Sequence, residues 1–437
     1  MHDARTLIEL GDEAVRRLAR RGYPLDLPGL EALSARRNSS IARADDLRAE
    51  SKRVAAEVGR AARESRGQGP DAAAEVEKLK TRARELKDEI RAAEADTEAA
   101  EAELRTVLLA IPNLPDDETP DGDSDADAVE VRRWGTPPAF TFTAKDHVDL
   151  GEAMGILDFG RAAKLAGARF SVARGPGAVL ERALATLFLG LHTGRHGYTE
   201  FSVPYLVTPE TMTGTGQLPK FEEDLFRTGT GERSLYLIPT AEVSLTNLHA
   251  DEMLDADALP LAYTAWTPCF RSEAGSYGRD TRGLLRLHQF SKVEMVRFCR
   301  EEESGTELEL MVSHAEACLQ ALGLAYRVVR LAAGDMGFAA RTTYDIEVWL
   351  PSQGTFREIS SCSDCGTFQS RRANIRAKDA QGGRAQVATL NGSGLPIGRT
   401  VAALLEQYQA EDGSVSIPEV LTPYTGFRRI LADGTTE

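Results

Sequence analysis

The 437-residue chain predicts an α+β fold on a mostly antiparallel sheet, preceded by a long antiparallel α-helical coiled-coil arm. Three features point to this. Apolar residues from Val76 to Ile111 recur at alternating steps of three and four, the a/d spacing of a coiled coil. A carboxylate-rich break follows at 116–130. Beyond it, glycine-rich turns separate short runs that alternate apolar and polar residues, as half-buried strands do.

The first spacing predicts one helix over 72–111, with Val76, Leu79, Ala83, Leu86, Ile90, Ala93, Thr97, Ala100, Leu104, Val107 and Ile111 along its seam. At 1.5 Å per residue it would be about 60 Å long, too long to lie on one compact domain, so it is expected to project. Leu33, Ala44, Leu47, Val54, Val58 and Ala61 keep a weaker version of the spacing and predict a partner helix over 33–66. Gly67, Gly69 and Pro70 break the run, and Asp71 is expected to cap the second helix. The result is a helical hairpin, a coiled coil over about 30–111. Segment 36–66 has a net charge of +4 in a chain of −15. Alone, that is more simply a solvated coiled-coil face; an arm that touches phosphates is the sharper reading.

IPNLP at 111–115 ends the helix with two prolines. The next fifteen residues carry eight carboxylates, so 116–134 is expected as an acidic, solvated linker between a helical part, 1–115, and a second domain, 135–437. In that domain SLYLIPT (234–240), RLHQFSKVEMVRF (286–298) and TYDIEVWL (343–350) read as strands, and 178–194 and 306–323 as helices. Strands outnumber a regular βαβ alternation, which favours α+β. No Walker or Rossmann glycine fingerprint follows a strand.

Bulk properties exclude several classes. No run of about 20 apolar residues is present, so no membrane partner is expected. The N-terminus lacks a basic stretch followed by an apolar core, which predicts a cytoplasmic chain. The five cysteines are an odd number and read as free thiols. Cys362 and Cys365 could form half of a zinc site, but no second pair stands nearby, so buried structural thiols are expected. The negative net charge argues against indiscriminate nucleic-acid binding, not against a local basic surface.

The chemistry concentrates in FRSEAGSYGRDTRGLLRLHQFSKVEMV, residues 270–296. Arg271, Arg279, Arg282 and Arg286 crowd one hairpin, with Glu273 and Glu294 beside them. An arginine fork suits phosphate or carboxylate oxygens. Phe290 offers a face for a purine, and a glutamate can accept from an exocyclic amine. Together these describe ATP. Downstream, Gly392, Gly394 and Gly398 let backbone approach a ligand, and Arg399 at a helix start favours phosphate.

On these residues the chain resembles the class II aminoacyl-tRNA synthetases. Phe270-Arg271-x-Glu273 with Arg286-x-x-x-Phe290 is similar to motif 2, GSGLPIGR to motif 3, and helix 178–194 with GYTEFSVPYL and Pro204 to the dimer-forming motif 1. TGQLPKF (215–221), TAEVSLTNL (240–248), FREISSCSDC (356–365) and NGSGL (391–395) resemble segments of bacterial-type seryl-tRNA synthetases, and the hairpin resembles their tRNA-binding arm. The resemblance implies a class II catalytic domain, working as a homodimer, that ligates L-serine to serine tRNA through a seryl-adenylate, with selenocysteine tRNA as an additional acceptor.

It also implies residue roles. Arg271 and Arg399 would be the catalytic cations. Arg271, Ser272, Glu273, Leu287, Phe290, Glu358, Ile359, Ser360, Ser361 and Arg399 would hold ATP. Thr240, Ala241, Glu242, Arg271, Glu294 and Ser393 would hold serine, and Glu358 and Ser361 would bind Mg2+. Arg36, Arg37, Arg43, Arg48, Arg53 and Arg60 would touch the long variable arm of the tRNA, largely by shape and backbone. Ser244, Tyr277 and Pro396-Ile397 depart from the family pattern without removing a charged ligand. They leave room for a specialised paralogue supplying a biosynthetic or resistance pathway. An amino acid:carrier-protein ligase would share the catalytic domain but lack the heptads of 72–111, and a catalytically dead regulator would not need the intact Arg271, Glu273, Glu358 and Arg399.

Overall fold

The structure, a computed structural model, describes residues 1–64, 70–275, 278, 280 and 282–437. The expectations for Arg66, Gly67, Gly69, Tyr277 and Arg279 lie outside the described residues. Residues 2–19 and 23–111 form one compact unit; Met1, residues 20–22 and 112–437 form the other.

In the first unit, α1 (Ala4–Leu10) and α2 (Asp12–Ala19) precede the long α3 (Leu27–Glu64) and α4 (Pro70–Ala110). Helix α4 begins at Pro70, whose fixed φ suits a first turn. Asp71 is therefore inside that turn, where its charge still suits the helix dipole, rather than at the cap. Val76, Leu86, Ala93, Ala100 and Leu104 are buried, as are Leu30, Ala44 and Val54 on α3. Half-buried Arg37, Ser40 and Ile41 continue the seam of α3 between Leu33 and Ala44, where the sequence pattern was weakest. Ion pairs tie α3 to α4: Arg36–Glu103 at 2.7 Å, Arg37–Glu101 at 3.0 Å, Arg48–Glu94 at 2.8 Å and Arg82–Glu50 at 2.9 Å. Exposed pairs of this kind contribute at most about 1 kcal/mol each, so the apolar seam carries the hairpin.

In chain order the second unit has β1 (Val129–Trp134), α5 (His147–Ala153), α6 (Pro176–Gly194), β2 (Thr199–Glu200), α7 (Glu242–Thr246), β3 (Leu261–Phe270), β4 (Gln289–Arg300), α8 (Ser304–Ala321), β5 (Tyr326–Arg330), β6 (Thr342–Leu350), β7 (Thr355–Asp364), β8 (Val387–Pro396) and α9 (Ile397–Gln407), with shorter elements between. One eight-stranded sheet runs β1-β5-β6-β7-β8-β4-β3-β2, antiparallel throughout except between β3 and β2. The run 286–298 becomes strand only from Gln289, and the first four residues of SLYLIPT belong to a strand, Arg233–Leu237, of a separate three-stranded sheet.

The acidic stretch 116–134 is not a free linker. Val129–Trp134 is an edge strand paired with β5. The Asp116 amide donates to the Arg341 carbonyl at 3.0 Å, and its carboxylate accepts from the Thr342 hydroxyl at 2.7 Å. Polar side chains do not prevent this, because an edge strand pairs through backbone, and charge on it is how sheet edges are protected.

Helices α6, α8 and α9 pack on one face of the sheet, burying Phe188, Met311 and Leu404 with Val293, Met295 and Leu390. Because strand side chains alternate, burying Val293 and Met295 under those helices turns Phe290, Lys292 and Glu294 to the opposite face.

Truncating the fully buried Leu86 to alanine is expected to destabilise the hairpin by about 2–5 kcal/mol, toward the low end because two helices make a thin core. Urea unfolding followed by circular dichroism at 222 nm should show an earlier loss of helical signal. An unchanged midpoint would mean that the seam does not hold α3 to α4.

Candidate active site

Strand β3 delivers Arg271 to the open face. The Arg271 amide donates to the His288 carbonyl at 2.9 Å, and its Nε donates to the Pro239 carbonyl at 3.2 Å. Its guanidinium lies 5.2 Å from the Phe290 ring centre. Glu273 adopts a φ of 54° and accepts from Arg286 Nη1 at 2.6 Å. Arg282 pairs instead with Asp146, which caps α5, and with Asp149 in its first turn. The crowded arginines of this hairpin therefore divide: Arg271 and Arg286 serve the cleft, and Arg282 anchors the loop.

Arg399 lies in the first turn of α9. It donates to the carbonyls of Leu285, at 3.1 Å, and Glu358, at 2.9 Å, and meets the Glu358 carboxylate at 3.2 Å. That guanidinium holds the Glu358 carboxyl below its ordinary range. Arg271, Glu273, Leu287, Phe290, Lys292, Glu358, Ile359, Ser393 and Arg399 all line one cleft.

Glu358 and Ser361 are three residues apart, a spacing that puts side chains on opposite faces of a regular strand. The β6–β7 ladder shifts register between Ile346 and Glu347, so Glu347 faces Glu358 while Asp345 faces Ser361. Asp345 and Glu347 are two apart, so the bulge brings Glu358 and Ser361 to one face. Asp345 Oδ1 is buried there without a hydrogen-bond partner, and burial with the Glu358 charge pushes its carboxyl up. Among the described residues no three His, Cys, Asp or Glu side chains could hold a metal ion. These hard oxygens fit Mg2+, which takes few protein ligands and draws the rest from phosphates and water.

Beside the cleft, Glu294 accepts from the Thr240 hydroxyl at 2.9 Å and pairs with the Lys292 ammonium. Ser393 stands opposite Glu294 in the β8–β4 ladder. Glu242 accepts from Gln369 at 2.6 Å and from Asn391 at 3.0 Å, and its amide donates to Thr240 Oγ1 at 3.2 Å. Burial, then the Glu294 charge, pushes Glu242 up to about 7. Thr240, Glu242, Arg271 and Glu273 line a wider cavity here with Gln217, Phe221 and Phe338.

Residues 1–115 match the model of the seryl-tRNA synthetase N-terminal domain, and residues 224–408 match that of the tRNA synthetase class II core domain (G, H, P, S and T). A protein named serine--tRNA ligase 2 from Streptomyces avermitilis is 61% identical over 437 residues, 100% of both chains. The chain belongs to the seryl-tRNA synthetase family. A serine--tRNA ligase from Nitratidesulfovibrio vulgaris is 54% identical over 434 residues, 99% of this chain and 100% of that one. The crystal structure of a seryl-tRNA synthetase from Pyrococcus horikoshii complexed with ATP matches with a TM-score of 0.87 at 35% identity, covering 99% of each chain.

Most residues that the resemblance implies for ATP and serine line the cleft or its neighbouring cavity; Glu294 meets that cavity through Thr240, Ser361 stands opposite Asp345 in the ladder, and the side chains of Ser272, Ala241 and Ser360 turn elsewhere. The Ser272 hydroxyl donates to the Glu223 carbonyl. Ala241 is fully buried in an apolar cluster with Val296 and Phe298. Ser360 is buried, and its hydroxyl donates to the Ser393 carbonyl at 2.7 Å. Ser244, a departure from the family pattern, donates to the Pro204 carbonyl at 2.8 Å, and Pro396 immediately precedes α9. All five cysteines are free and buried. Sequence reasoning missed Lys292, Gln369 and Asn391. Lys292 was within reach, since it sits midway between Phe290 and Glu294 at the strand period.

The raised Glu242 predicts a sign for stability. Its folded pKa of about 7 exceeds its ordinary 4.5, so the ligand-free fold binds this proton more tightly than the unfolded chain. Stability is then lost as pH rises from about 4.5 to 7 and stays lost above. Glu242→Gln should raise the ligand-free Tm at pH 8, by about 1–3 kcal/mol in free energy, and change it little at pH 5. Equal gains at both pH values would show that Glu242 is ionised throughout.

Proposed function

We propose that this chain is a serine--tRNA ligase. It activates L-serine with ATP to a seryl-adenylate and passes the seryl group to serine tRNA, acting as a cytoplasmic homodimer. The observation that carries this reading is the junction of the two subsites at Arg271, which lines both the Phe290–Arg399 cleft and the Thr240–Glu242 cavity. A carboxylate bound on one side is then presented to a phosphate bound on the other. Among the described residues no helix is long and apolar enough to cross a membrane.

The serine carboxylate attacks the α-phosphorus and pyrophosphate leaves. No side chain need form a covalent bond, so catalysis rests on positioning and charge. Arg271 spans the attacking carboxylate and the α-phosphate. Phe290 stacks on adenine, whose amine Glu273 accepts. Arg399, at the start of α9, takes the γ-phosphate, which would compete with Glu358 for its guanidinium. Mg2+ held by Glu358 and Ser361 would neutralise phosphate charge when bound. In the other subsite, Glu242 receives the serine ammonium, while Thr240, Glu294 and Ser393 surround its hydroxyl. A site that hydrogen-bonds a hydroxyl leaves buried groups unpaired when offered alanine.

Serine-dependent pyrophosphate exchange tests the first step. Arg271→Ala should lose about 10- to 100-fold in kcat/KM, the worth of a charge-assisted contact, while the ligand-free Tm moves little. Wild-type exchange should strongly prefer serine to alanine. Full exchange by the folded variant, or equal exchange with alanine, would overturn these roles.

For the tRNA step, the ion pairs of the hairpin sort its arginines. Arg36, Arg37 and Arg48 are engaged with α4. Arg43, Arg53 and Arg60 are exposed and, among the described residues, have no ion-pair partner. Replacing these three by glutamine should weaken tRNA binding and flatten its salt dependence by up to about 0.7–0.9 log units per lost phosphate contact, with pyrophosphate exchange intact. Unchanged tRNA affinity in filter binding across a salt series would remove them from the tRNA surface.

A further inference from the structure

Beneath the serine subsite lies a histidine cluster that the two-step reaction does not use. His192 is on α6 and fully buried, His196 follows the end of α6, and His314 is on α8. His192 Nε2 lies 2.7 Å from the Gly394 carbonyl oxygen. A carbonyl only accepts, so Nε2 carries the proton. Burial pulls His192 down to about 4, so the ring is neutral near pH 7 and its Nδ1 must accept. The atom opposite that Nδ1 is His196 Nδ1, at 3.1 Å, which is therefore the donor. The His196 ring stacks on His314 at 4.1 Å, and His314 Nδ1 lies 3.2 Å from the Tyr198 hydroxyl. Cys318 Sγ closes the other side, 3.6 Å from His192 Nε2, and Arg297 lies over Tyr198.

The position of this contact gives it a role. The β8–β4 ladder breaks register between Ser393 and Pro396, so the carbonyls there lose regular strand partners and need other donors. Ser360 supplies one to Ser393, and His192 supplies one to Gly394. A Cβ on Gly394 would stand 2.3 Å from His192 Nε2, so the imidazole rests directly on backbone.

We propose that His192 is a positioning residue for serine: its Nε2–H, directed by His196, pins the Gly394 carbonyl and so holds Ser393 opposite Glu294. This rests on the assignment of Ser393 and Glu294 to the serine subsite. In pyrophosphate exchange, His192→Leu should raise KM for serine about tenfold, with KM for ATP within about twofold, the worth of one hydrogen bond acting on one substrate. His192→Gln, whose amide can still donate to the carbonyl, should recover most of the loss. Nitrogen-15 spectra of the imidazoles should show His192 protonated at Nε2 and bare at Nδ1, and His196→Phe should mix the tautomers. The proposal is overturned if the leucine and glutamine variants behave alike, if both KM values rise together, or if wild-type His192 carries its proton on Nδ1. Where the leucine variant does not fold, the glutamine variant and the spectra decide. A Ser393→Ala variant with unchanged KM for serine would place the failure in the subsite assignment rather than in the His192 contact.

Discussion

The proposed serine subsite depends on one buried carboxylate, Glu294. It is 1% exposed and paired with Lys292, two residues away on the same strand face. A buried charge without a partner is strongly destabilising, so neither side chain can be lost singly without disturbing the floor of the site. Glu294 also accepts from Thr240, raises Glu242 and faces Ser393. The pair therefore sets the polarity of the pocket as well as its shape. A cation and two acids at close quarters, one of them titrating near neutrality, suit a ligand that brings its own ammonium and hydroxyl.

The sheet contributes through its irregularities. Regular pairing would separate Glu358 from Ser361 and would satisfy the Gly394 carbonyl within the ladder. The shift in β7 brings the first two together, and the shift in β8 frees the carbonyl for His192. Both bulges lie at the cleft, where they aim side chains and backbone at a ligand. The helices on the other face, closely packed around Met295, Met311 and Leu390, supply the rigid support against which such departures can be held.

The hairpin is held differently. Its core is a single seam of small and branched residues, and the charges around that seam divide between cross-helix pairing and solvent. Arg48 meets Glu94 and Asp45, whereas Arg43 and Arg53 on the same helix meet no carboxylate among the described residues. The net charge of the segment is thus a poor guide to where its free positive charge lies. The exposed arginines without such partners keep their full field toward solvent, while Arg36, Arg37 and Arg48 direct theirs at the hairpin.

Local periodicity determined much by itself. The steps of three and four made α4 legible from Val76 to Val107, and alternation made β6 legible from Tyr344 to Leu350, because both patterns repeat within a few residues of one another. The site motifs were legible for the same reason, since Arg271 and Glu273, or Gly394 and Arg399, stand close in the chain. Tertiary structure alone decided the rest. The acidic stretch 116–134 became part of the sheet because its backbone found β5 and Arg341, contacts about 200 residues away that side-chain polarity cannot report. Ser360 turned into the core and Ser361 to the face of Glu358 because a register shift across two strands reversed the alternation. Lys292, Gln369 and Asn391 joined Glu242 and Glu294 only when β4, β8, α7 and the short helix Phe368–Arg372 came together, since a buried charge acquires its partners, and so its protonation, from whatever the fold sets beside it.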